Sequence, residues 1–392
     1  MARTLRLGIA GCGRRGTYVG SLFRDHPGCR IAALMDPFPG VLQRAAASLG
    51  LPELPVFTDY DAFLRDAPVD AVLLTGDPTV QVGMACRAME SGRHACTEVP
   101  AAFSLEECWQ LVETVAKTGC KYQLMEQVRY WGFVEVWTQM QRQGEFGHIC
   151  FAQGEYIHFE REWNYWVDRE TGEFVRQVTP PPGRNLEPSW RSRVFADPIY
   201  YLPHTVSPLL KVLDDRVVRV SCMGTRVGSY TYPGEEAPFR DIEYALMHTA
   251  RDTVMAVGAG FTLPYPRRGV TGNHFYEVRG TRASVESPRA PGEPFRLWRQ
   301  GMDVGEGQDL SLAPPDADAQ QARSGHGGAD FKPVDTLVRA ILEDTVPPVD
   351  AVLAAQITAP AVLAAESARQ GGVLLEVPDF RKPRGERPCR PC

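Results

Sequence analysis

The sequence has no apolar run that approaches the length of a membrane span. Its N-terminus also lacks the charged segment, apolar core and cleavage site of a secretory signal. Basic residues are also fewer than acidic ones, 42 against 48, which gives a net charge of −6 over 392 residues. This balance argues against nucleic acids and acidic membranes as partners. We therefore predict a cytoplasmic protein that acts on a small molecule.

Metal-ligand and disulfide patterns are equally scarce. The eight histidines show no HxxxH or HxH spacing, and no metal site is predicted. Ten cysteines are scattered along the chain, mostly in apolar contexts where a reduced thiol packs as a small hydrophobic group. A CxxC pair, Cys389 and Cys392, lies among prolines and arginines at the C-terminus. Residues 381–392 are accordingly predicted to form a disordered tail.

A nucleotide-binding pattern stands near the start of the chain. The apolar run 5–10 leads into a loop with the spacing GxGxxG, and a second apolar run ends in an acidic residue. Gly11 permits a tight turn, Gly13 lets the backbone approach a pyrophosphate, and Gly16 lets the helix pack on the strand. The Asp36 carboxylate can accept hydrogen bonds from an adenosine ribose and would repel a 2′-phosphate. The pattern favours NAD over NADP, although a glycine-rich turn in an ordinary α/β domain is the alternative.

Four further residues complete the predicted cofactor site. Arg14 and Arg15 open the helix after the loop, whose free N–H groups are expected to face the phosphates. Glu98 ends a later strand near the nicotinamide ribose, and Pro100 fixes the turn beyond it.

The order of apolar and amphipathic segments predicts two domains. Residues 1–125 alternate between strands and helices, as in an NAD-binding Rossmann domain with a doubly wound parallel sheet. Residues 126–380 carry runs of consecutive strands, which predicts an α+β domain for substrate binding and oligomerisation, with a largely antiparallel open sheet. Two insertions, residues 160–197 and 288–328, are rich in proline, glycine and charge, and we expect them to cover a site or mediate assembly.

One histidine is the first candidate for catalysis. His204 precedes the apolar helix 208–213, and we expect it at a strand or loop end that faces the cofactor cleft. Imidazole titrates near neutrality and suits proton removal from a hydroxyl during hydride transfer. Tyr201 can donate to the same oxygen. The alternatives are a histidine that satisfies a buried carbonyl and a tyrosine that only packs.

A second pair of candidates lies on a predicted strand. Tyr156 and His158 are two residues apart, so their side chains share one face of that strand. A phenol and an imidazole there can protonate a leaving group or hold hydroxyls. The alternative is an aromatic face that packs against helices.

Five more residues are candidates for substrate binding. Glu126 can hydrogen-bond hydroxyls, and Arg129, Tyr130 and Trp166 are similar to the lining that stacks on sugar rings. His326 lies between glycines, where the backbone can approach a ligand. The alternatives are a salt-bridge carboxylate, core aromatics and a solvent-exposed histidine. The same predicted aromatic lining includes Trp131, Trp163, Tyr165 and Trp190.

The chain as a whole resembles the Gfo/Idh/MocA oxidoreductase family, which pairs a Rossmann domain with an antiparallel-sheet domain. The anchors are the glycine loop, Asp36 and the segment Glu98-Val99-Pro100, where the family usually carries Glu-Lys-Pro. In relatives that lysine approaches both the nicotinamide and the substrate hydroxyl. Val99 has no proton to exchange, which argues against lysine-assisted alcohol oxidation. Tyr200 also departs from the family, since many of its dehydrogenases carry an aspartate there.

Short segments further resemble one branch of the family, the NAD-dependent glycosidases typified by α-N-acetylgalactosaminidase. They are Met125-Glu126-Gln127-Val128-Arg129-Tyr130, Gly154-Glu155-Tyr156-Ile157-His158, Tyr201-Leu202-Pro203-His204, Gly325-His326-Gly327-Gly328 and Gly371-Gly372 leading to Val377-Pro378-Asp379-Phe380. In that branch the cofactor stays bound while the sugar C3 hydroxyl is oxidised and the C2 proton becomes acidic. The aglycone leaves, water adds, and the ketone is reduced again.

The resemblance implies an NAD-dependent oxidoreductase that acts on a ring hydroxyl of a sugar, glycoside or cyclitol. The reaction is either redox-neutral cleavage with recycled NAD or net oxidation with dissociating NAD(H). The alternative from a different functional class is a protein that binds the dinucleotide as a sensor and catalyses no reaction. The family often assembles through its open sheet face, which implies a homodimer or homotetramer.

Overall fold

The computed structural model describes residues 3–159, 166–177, 179–194, 196–228, 230, 239–264, 273–302, 307–310 and 324–385. Contacts divide the chain into two compact units. The first unit contains Met1–Glu126, Glu162–Arg193 and Asp330–Ala355. The second contains Gln127–Arg161, Val194–Ala329 and Gln356–Cys392.

A six-stranded parallel sheet forms the centre of the first unit. Its strands are β1 (Leu5–Ala10), β2 (Cys29–Met35), β3 (Val56–Phe57), β4 (Ala71–Leu74), β5 (His94–Thr97) and β6 (Tyr122–Leu124). They lie in the order β3-β2-β1-β4-β5-β6. This order is that of the doubly wound dinucleotide-binding fold, and it confirms the predicted Rossmann sheet. The central strands are almost wholly apolar because helices cover both faces of such a sheet.

Five helices connect these strands: α1 (Arg14–Arg24), α2 (Pro39–Leu49), α3 (Tyr60–Asp66), α4 (Gln81–Glu90) and α5 (Leu105–Thr118). Helix α5 begins at a capping box, in which the Ser104 hydroxyl accepts a hydrogen bond from the Glu107 N–H at 3.1 Å. The Glu107 carboxylate in turn accepts from the Phe103 N–H at 2.7 Å. The S-x-x-E pattern therefore marks the true start of this helix.

The predicted insertion 160–197 contributes a small sheet to the first unit, which the sequence did not indicate. Its strands are β8 (Trp166–Asp168), β9 (Phe174–Val175) and β10 (Leu186–Pro188), and the short helix α7 (Trp190–Val194) follows. The order of the strands is β10-β8-β9. A later helix, α9 (Phe331–Leu342), also joins this unit and places Val334, Leu337 and Ile341 in the apolar core formed by β1 and α1.

The second unit is built on a nine-stranded sheet. Its strands are β7 (Ile149–Ile157), β11 (Val217–Gly224), β12 (Ile242–Thr249), β13 (Val254–Gly260), β14 (His274–Gly280), β15 (Ala283–Glu286), β16 (Phe295–Arg299), β17 (Gln308–Leu310) and β18 (Leu375–Glu376). They lie in the order β17-β16-β15-β14-β7-β13-β12-β11-β18. All neighbours are antiparallel except β7 and β13, and the predicted largely antiparallel sheet is confirmed. Two of these strands, β16 and β17, lie inside the predicted insertion 288–328.

Three longer helices accompany this sheet: α6 (Gly132–Arg142), α8 (Pro203–Leu213) and α10 (Ala351–Arg369). Helix α8 starts five residues before the predicted 208–213, because proline is well tolerated in a first helical turn. His204 therefore lies inside a helix and not in a loop. Helix α10 is long and apolar enough to cross a membrane, but 78% of its apolar window is buried within the protein. Such burial is typical of a core helix.

A buried ionic network holds the turn Pro198–Tyr201, which leads into α8. The Ile199 N–H donates to the Glu243 carboxyl at 3.0 Å. Asp197 receives hydrogen bonds from Arg240 at 3.2 Å and from Arg369 at 2.5 Å. Burial, and after it the nearby Asp197 carboxylate, raises the pKa of Glu243 from 4.5 to about 8. Glu243 is thus protonated in the folded protein at neutral pH.

We expect Glu243→Gln to change how stability depends on pH. In the wild type, the folded state holds a proton on Glu243 that the unfolded state releases above pH 4.5, so stability falls as pH rises towards 8. One such proton contributes a slope of about 1.4 kcal/mol per pH unit. Denaturant unfolding between pH 5 and 8 should show a flatter profile for the variant. Parallel profiles for the two proteins would contradict the assignment.

Candidate active site

The glycine loop of the first unit has the geometry of a phosphate cradle. Gly11 has φ +95°, and a Cβ there would lie 2.3 Å from the Gly76 nitrogen. A Cβ at Gly16 would lie 2.0 Å from the Gly11 carbonyl oxygen. Nothing lies within 4 Å of a Cβ built at Gly13, and no side chain caps the N–H groups of α1. The loop therefore leaves both space and donors for an anion.

Asp36 closes this cradle at the carboxyl end of β2. Its carboxylate accepts hydrogen bonds from the Cys12 N–H at 2.9 Å and from the Phe38 N–H at 3.1 Å. Burial raises the pKa of Asp36. Each carboxylate oxygen keeps a second lone pair, so the side chain can still accept from ribose hydroxyls. These residues fit the adenosine half of NAD.

The two predicted arginines of the loop differ. Arg14 is exposed. The Arg15 guanidinium donates to Glu98 at 3.0 Å and lies 3.5 Å from Asp330, whose carboxylate also accepts from the Tyr18 hydroxyl at 2.9 Å. The structure therefore ties Arg15 to two carboxylates, a pairing that the sequence did not reveal.

The segment Glu98-Val99-Pro100 follows β5, as expected. Its peptide bond before Pro100 is cis. The buried Gln81 amide donates to the Glu98 carbonyl at 3.1 Å and also to the Pro100 carbonyl. Val99 is buried and offers no group for proton transfer at the position of the usual family lysine.

The four predicted catalytic residues come together in the second unit. The Tyr156 ring lies 4.4 Å from the His158 ring, 5.3 Å from the His204 ring and 6.3 Å from the Tyr201 ring, centroid to centroid. A fifth member, His274, lies 4.4 Å from Tyr156. We name these five residues the histidine cluster.

Local structure explains this convergence. Tyr156 on β7 is the direct cross-strand partner of His274 on β14. The His158 N–H donates to the Gly260 carbonyl at 2.8 Å, just beyond the end of β7. Strands β7 and β14 thus supply two of the five members, and the residue that follows β7 supplies a third.

Helix α8 and the turn before it bring in the remaining members of the cluster. A Cβ at Gly154 would lie 2.2 Å from Thr205 Cγ2, so only glycine lets the helix approach β7 so closely. That approach sets His204 beside Tyr156.

His274 is the site residue that sequence reasoning missed. It is buried, and burial lowers its pKa well below the ordinary histidine value, with smaller contributions from His204, His158 and His326. A signal was present, because His274 and Tyr276 repeat the two-residue spacing of Tyr156 and His158. That spacing places both side chains on one face of β14.

Hydrogen bonding fixes the tautomer of His274. The Tyr276 hydroxyl donates its only proton to the His204 carbonyl at 2.8 Å. It also lies 3.0 Å from Nδ1 of His274. His274 must therefore carry its proton on Nδ1 and donate to the Tyr276 oxygen, which leaves Nε2 as an acceptor. Burial and this hydrogen bond thus both favour the neutral form of one imidazole in the cluster.

The predicted substrate residues of the second unit contact helix α8 or residues next to the cluster. The Arg129 guanidinium donates to the Ser207 carbonyl at 2.8 Å, and the Tyr130 ring lies 5.1 Å from the Lys211 ammonium. His326 is exposed, and its carbonyl accepts from the Trp131 indole at 2.9 Å. Trp131 in turn contacts the His274 ring at 5.0 Å. The loop that carries His326 is therefore anchored next to the cluster.

The remaining substrate candidates belong to the first unit. Glu126 is fully buried just after β6, and Trp166 lies on β8 opposite Val175 and Pro188. Trp190 packs with the neighbouring Arg191 guanidinium at 5.0 Å. Three groups of predicted residues lie outside the described residues: Trp163 and Tyr165, the pair Cys389 and Cys392, and most of the predicted tail.

Thiols and metal-ligating side chains are dispersed in the described part of the chain. The eight cysteines in that part are free thiols. Among the same residues, no group of three or more His, Cys, Asp or Glu side chains could hold a metal ion.

Comparison with known families identifies the two ends of the chain. Residues 5–126 match the model of the Gfo/Idh/MocA oxidoreductase family, NAD-binding Rossmann fold. Residues 293–386 match the C-terminal domain of glycosyl hydrolase 109. The fold and the cradle thus define an NAD-dependent oxidoreductase. More narrowly, it combines a Gfo/Idh/MocA NAD-binding Rossmann domain with a segment that matches the C-terminal domain of glycosyl hydrolase 109.

Individual proteins agree with this assignment. A glycosyl hydrolase family 109 protein of Streptomyces filamentosus is 28% identical over 408 aligned residues, which cover 97% of this chain and 78% of the relative. An oxidoreductase from Agrobacterium radiobacter, solved with NAD+, L-tartaric acid and magnesium, has a TM-score of 0.73 at 16% identity and covers 95% of this chain and 98% of its own. A scyllo-inositol dehydrogenase from Lactobacillus casei, with NAD(H) and scyllo-inositol bound, has a TM-score of 0.67 at 17% identity, with coverages of 96% and 99%. The two structures share the fold.

We expect His274 to stay neutral, with its proton on Nδ1, through the pH range near 6.5 in which an ordinary histidine takes up a proton. Ring ¹⁵N NMR of the protein would show one protonated and one bare nitrogen throughout. Because the unfolded chain takes up a proton near pH 6.5 and the folded chain does not, His274 lowers stability as pH falls below that value, by about 1.4 kcal/mol per pH unit.

Two variants provide the control for this prediction. An asparagine amide can replace the Nδ1 donor, whereas a glutamine amide reaches the Nε2 position. His274→Asn should keep the Tyr276 contact and remove the acid-side loss of stability, and His274→Gln should unfold at a lower temperature. Titration of His274 between pH 5 and 8 would contradict the buried neutral assignment.

Proposed function

We propose that this protein is an NAD-dependent, sugar-acting enzyme that cleaves a glycoside without net redox change. The observation that carries the proposal is the histidine cluster. It provides two phenols and two imidazoles that can handle protons, together with neutral His274. Simple alcohol oxidation needs one such base, whereas elimination and readdition need a second acid and base.

The residues divide into two pairs in this proposal. His204, with Tyr201, takes the proton from the hydroxyl that is oxidised and returns it at the end. Tyr156, with His158, takes the proton from the carbon next to the new ketone and gives it to the departing aglycone oxygen. The same pair later takes a proton from the incoming water and returns a proton to that carbon. Bound NAD supplies a hydride acceptor that later gives the same hydride back. Val99 supports this division, because the family lysine that serves ordinary oxidation is missing.

The cofactor and substrate residues complete the proposal. Gly11, Gly13, Gly16 and Asp36 bind the dinucleotide, and Glu98 and Pro100 position its nicotinamide end. The proposed substrate contacts are Glu126, Arg129, Tyr130, Trp166 and His326. The substrate class follows from the relatives, one named as a family 109 glycosyl hydrolase and another as a scyllo-inositol dehydrogenase.

We expect the purified protein to release aglycone from nitrophenyl glycosides without added NAD and without accumulating NADH. In D₂O the released sugar should carry deuterium at the carbon next to the one that is oxidised, because the proton there is lost and regained. Loss of a general base should lower kcat by about 10²- to 10⁴-fold in His204→Ala. Tyr201→Phe should show a smaller loss.

Two outcomes would overturn this proposal. NADH that accumulates without aglycone release would indicate a net dehydrogenase of a sugar or cyclitol. NAD binding with no turnover, unchanged by His204→Ala, would indicate a dinucleotide-binding sensor.

We further infer a cytoplasmic homodimer or homotetramer that binds neither nucleic acid nor membranes. The free thiols fit a reducing compartment, and the net charge of −6 disfavours acidic partners.

One face of the nine-stranded sheet exposes Met223, Tyr244, Leu246 and Val254. Leu246 is level with Ala256 and Gln153, so it points away from the face on which Gly154 meets α8. An exposed apolar sheet face of this kind suits a second copy of the chain.

Leu246→Glu should therefore lower the molar mass that light scattering records after size exclusion, because a buried charge at the interface would be desolvated. Val346→Glu is the matched control, because it also places a glutamate at an exposed apolar residue. Val346 is 71% exposed and lies in the first unit, whereas Leu246 is 61% exposed and lies in the second. The same mass for both variants and the wild type would contradict assembly through this face.

A further inference from the structure

The small sheet of the predicted insertion rests on the cofactor-binding side of the first unit. Gly172 lies in the turn between β8 and β9, with φ +70°. A Cβ built there would lie 2.6 Å from Phe38 Cδ2 and 2.9 Å from Val41 Cγ2. The turn is therefore seated directly on the start of α2.

Phe38 belongs to the adenosine end of the cofactor crevice. Its N–H donates to Asp36 at 3.1 Å, and the other oxygen of the same carboxylate holds the Cys12 N–H of the glycine loop. In this fold the acidic residue at the end of the second strand binds the adenosine ribose. Phe38 and Asp36 therefore form the wall of the adenosine site, and a contact that moves Phe38 would also move this wall.

Several hydrogen bonds centred on Asp168 hold the turn in its conformation. One oxygen of Asp168 accepts from the Glu170 N–H at 2.9 Å and the Thr171 N–H at 3.1 Å. The other accepts two hydrogen bonds from Arg184, at 3.0 and 2.7 Å. The Gly172 N–H closes the turn on the Asp168 carbonyl at 2.8 Å. The pKa of Asp168 is lowered by Arg184 and by these N–H donors, so the anchor stays ionised near neutral pH.

We propose that the β8–β9 turn, residues 168–174, is a retaining element of the cofactor site that slows the release of NAD by holding the adenosine wall in place. The inference rests on the proposed function in one respect, namely that NAD is the bound cofactor. It gives that function a physical basis, because a hydride that is returned to its own substrate requires NAD to stay bound through the whole cycle.

The chain provides a matched pair of variants for the test. Gly172 and Gly183 both lie in the insertion and both have positive φ, +70° and +80°. An alanine at either position carries a similar backbone strain. Only the Gly172→Ala methyl meets Phe38 and Val41, because nothing lies within 4 Å of a Cβ at Gly183.

The experiment measures the dissociation rate of NADH from the full-length protein, by displacement with excess NAD in the absence of any glycoside. We expect Gly172→Ala to release NADH at least tenfold faster than wild type, and Gly183→Ala to stay within twofold of it. ADP-ribose, which lacks the nicotinamide, should show the same difference. Should Gly172→Ala prove unstable, Arg184→Gln removes the anchor of the turn and should accelerate release in the same direction.

Equal NADH release from the Gly172→Ala and Gly183→Ala proteins would overturn the proposal, as would an Arg184→Gln protein that releases NADH at the wild-type rate. A protein that cleaves no glycoside but still shows the difference in release would refute the proposed reaction and leave the retaining element standing. The two failures are thus distinguishable.

Discussion

The histidine cluster depends on one close contact, between Gly154 on β7 and Thr205 on α8. A methyl group at position 154 would overlap the threonine side chain, at 2.2 Å from its Cγ2. Helix α8 can therefore pack closely on the sheet only because β7 has no side chain at position 154. Lifting α8 would carry His204 away from Tyr156, and it would break the hydrogen bond between Tyr276 and the His204 carbonyl. One missing side chain thus determines whether four ionisable rings can act together.

Two buried polar groups near α8 and the turn before it, His274 and Glu243, are kept neutral in different ways. His274 is kept uncharged by burial and by neighbouring imidazoles, and it donates its one proton to Tyr276. Glu243 is kept protonated near neutral pH, whereas Asp197 beside it stays paired with two arginines. Both neutral groups avoid the large penalty of a buried unpaired charge. The turn before α8 is consequently held by hydrogen bonds on one side and by ion pairs on the other.

Local sequence patterns predict much of the cofactor loop and of the histidine cluster, but they do not predict contacts between residues that are distant in the chain. The glycine spacing and the Asp36 position each report on a few neighbouring residues, and each is found where it was expected. His274 and Tyr156 are 118 positions apart, and only the register of β14 on β7 brings them together. Arg15 is a predicted cofactor residue, and no sequence pattern indicates its ion pair with Asp330, which lies more than 300 residues later in the chain. The strands in the insertions are two to five residues long, so no periodicity marks them.

Retention of the cofactor and the number of proton-handling groups are two parts of one requirement. An enzyme that only oxidises its substrate can release reduced cofactor after one hydride transfer, and a single base then suffices. If the hydride must return, the cofactor has to outlast the loss of the aglycone and the arrival of water. Each of these steps also needs its own proton donor or acceptor. The turn seated on Phe38, the two pairs of phenol and imidazole, and the valine in place of the family lysine are the features that lead us to propose a redox-neutral reaction and not a dissociating dehydrogenase.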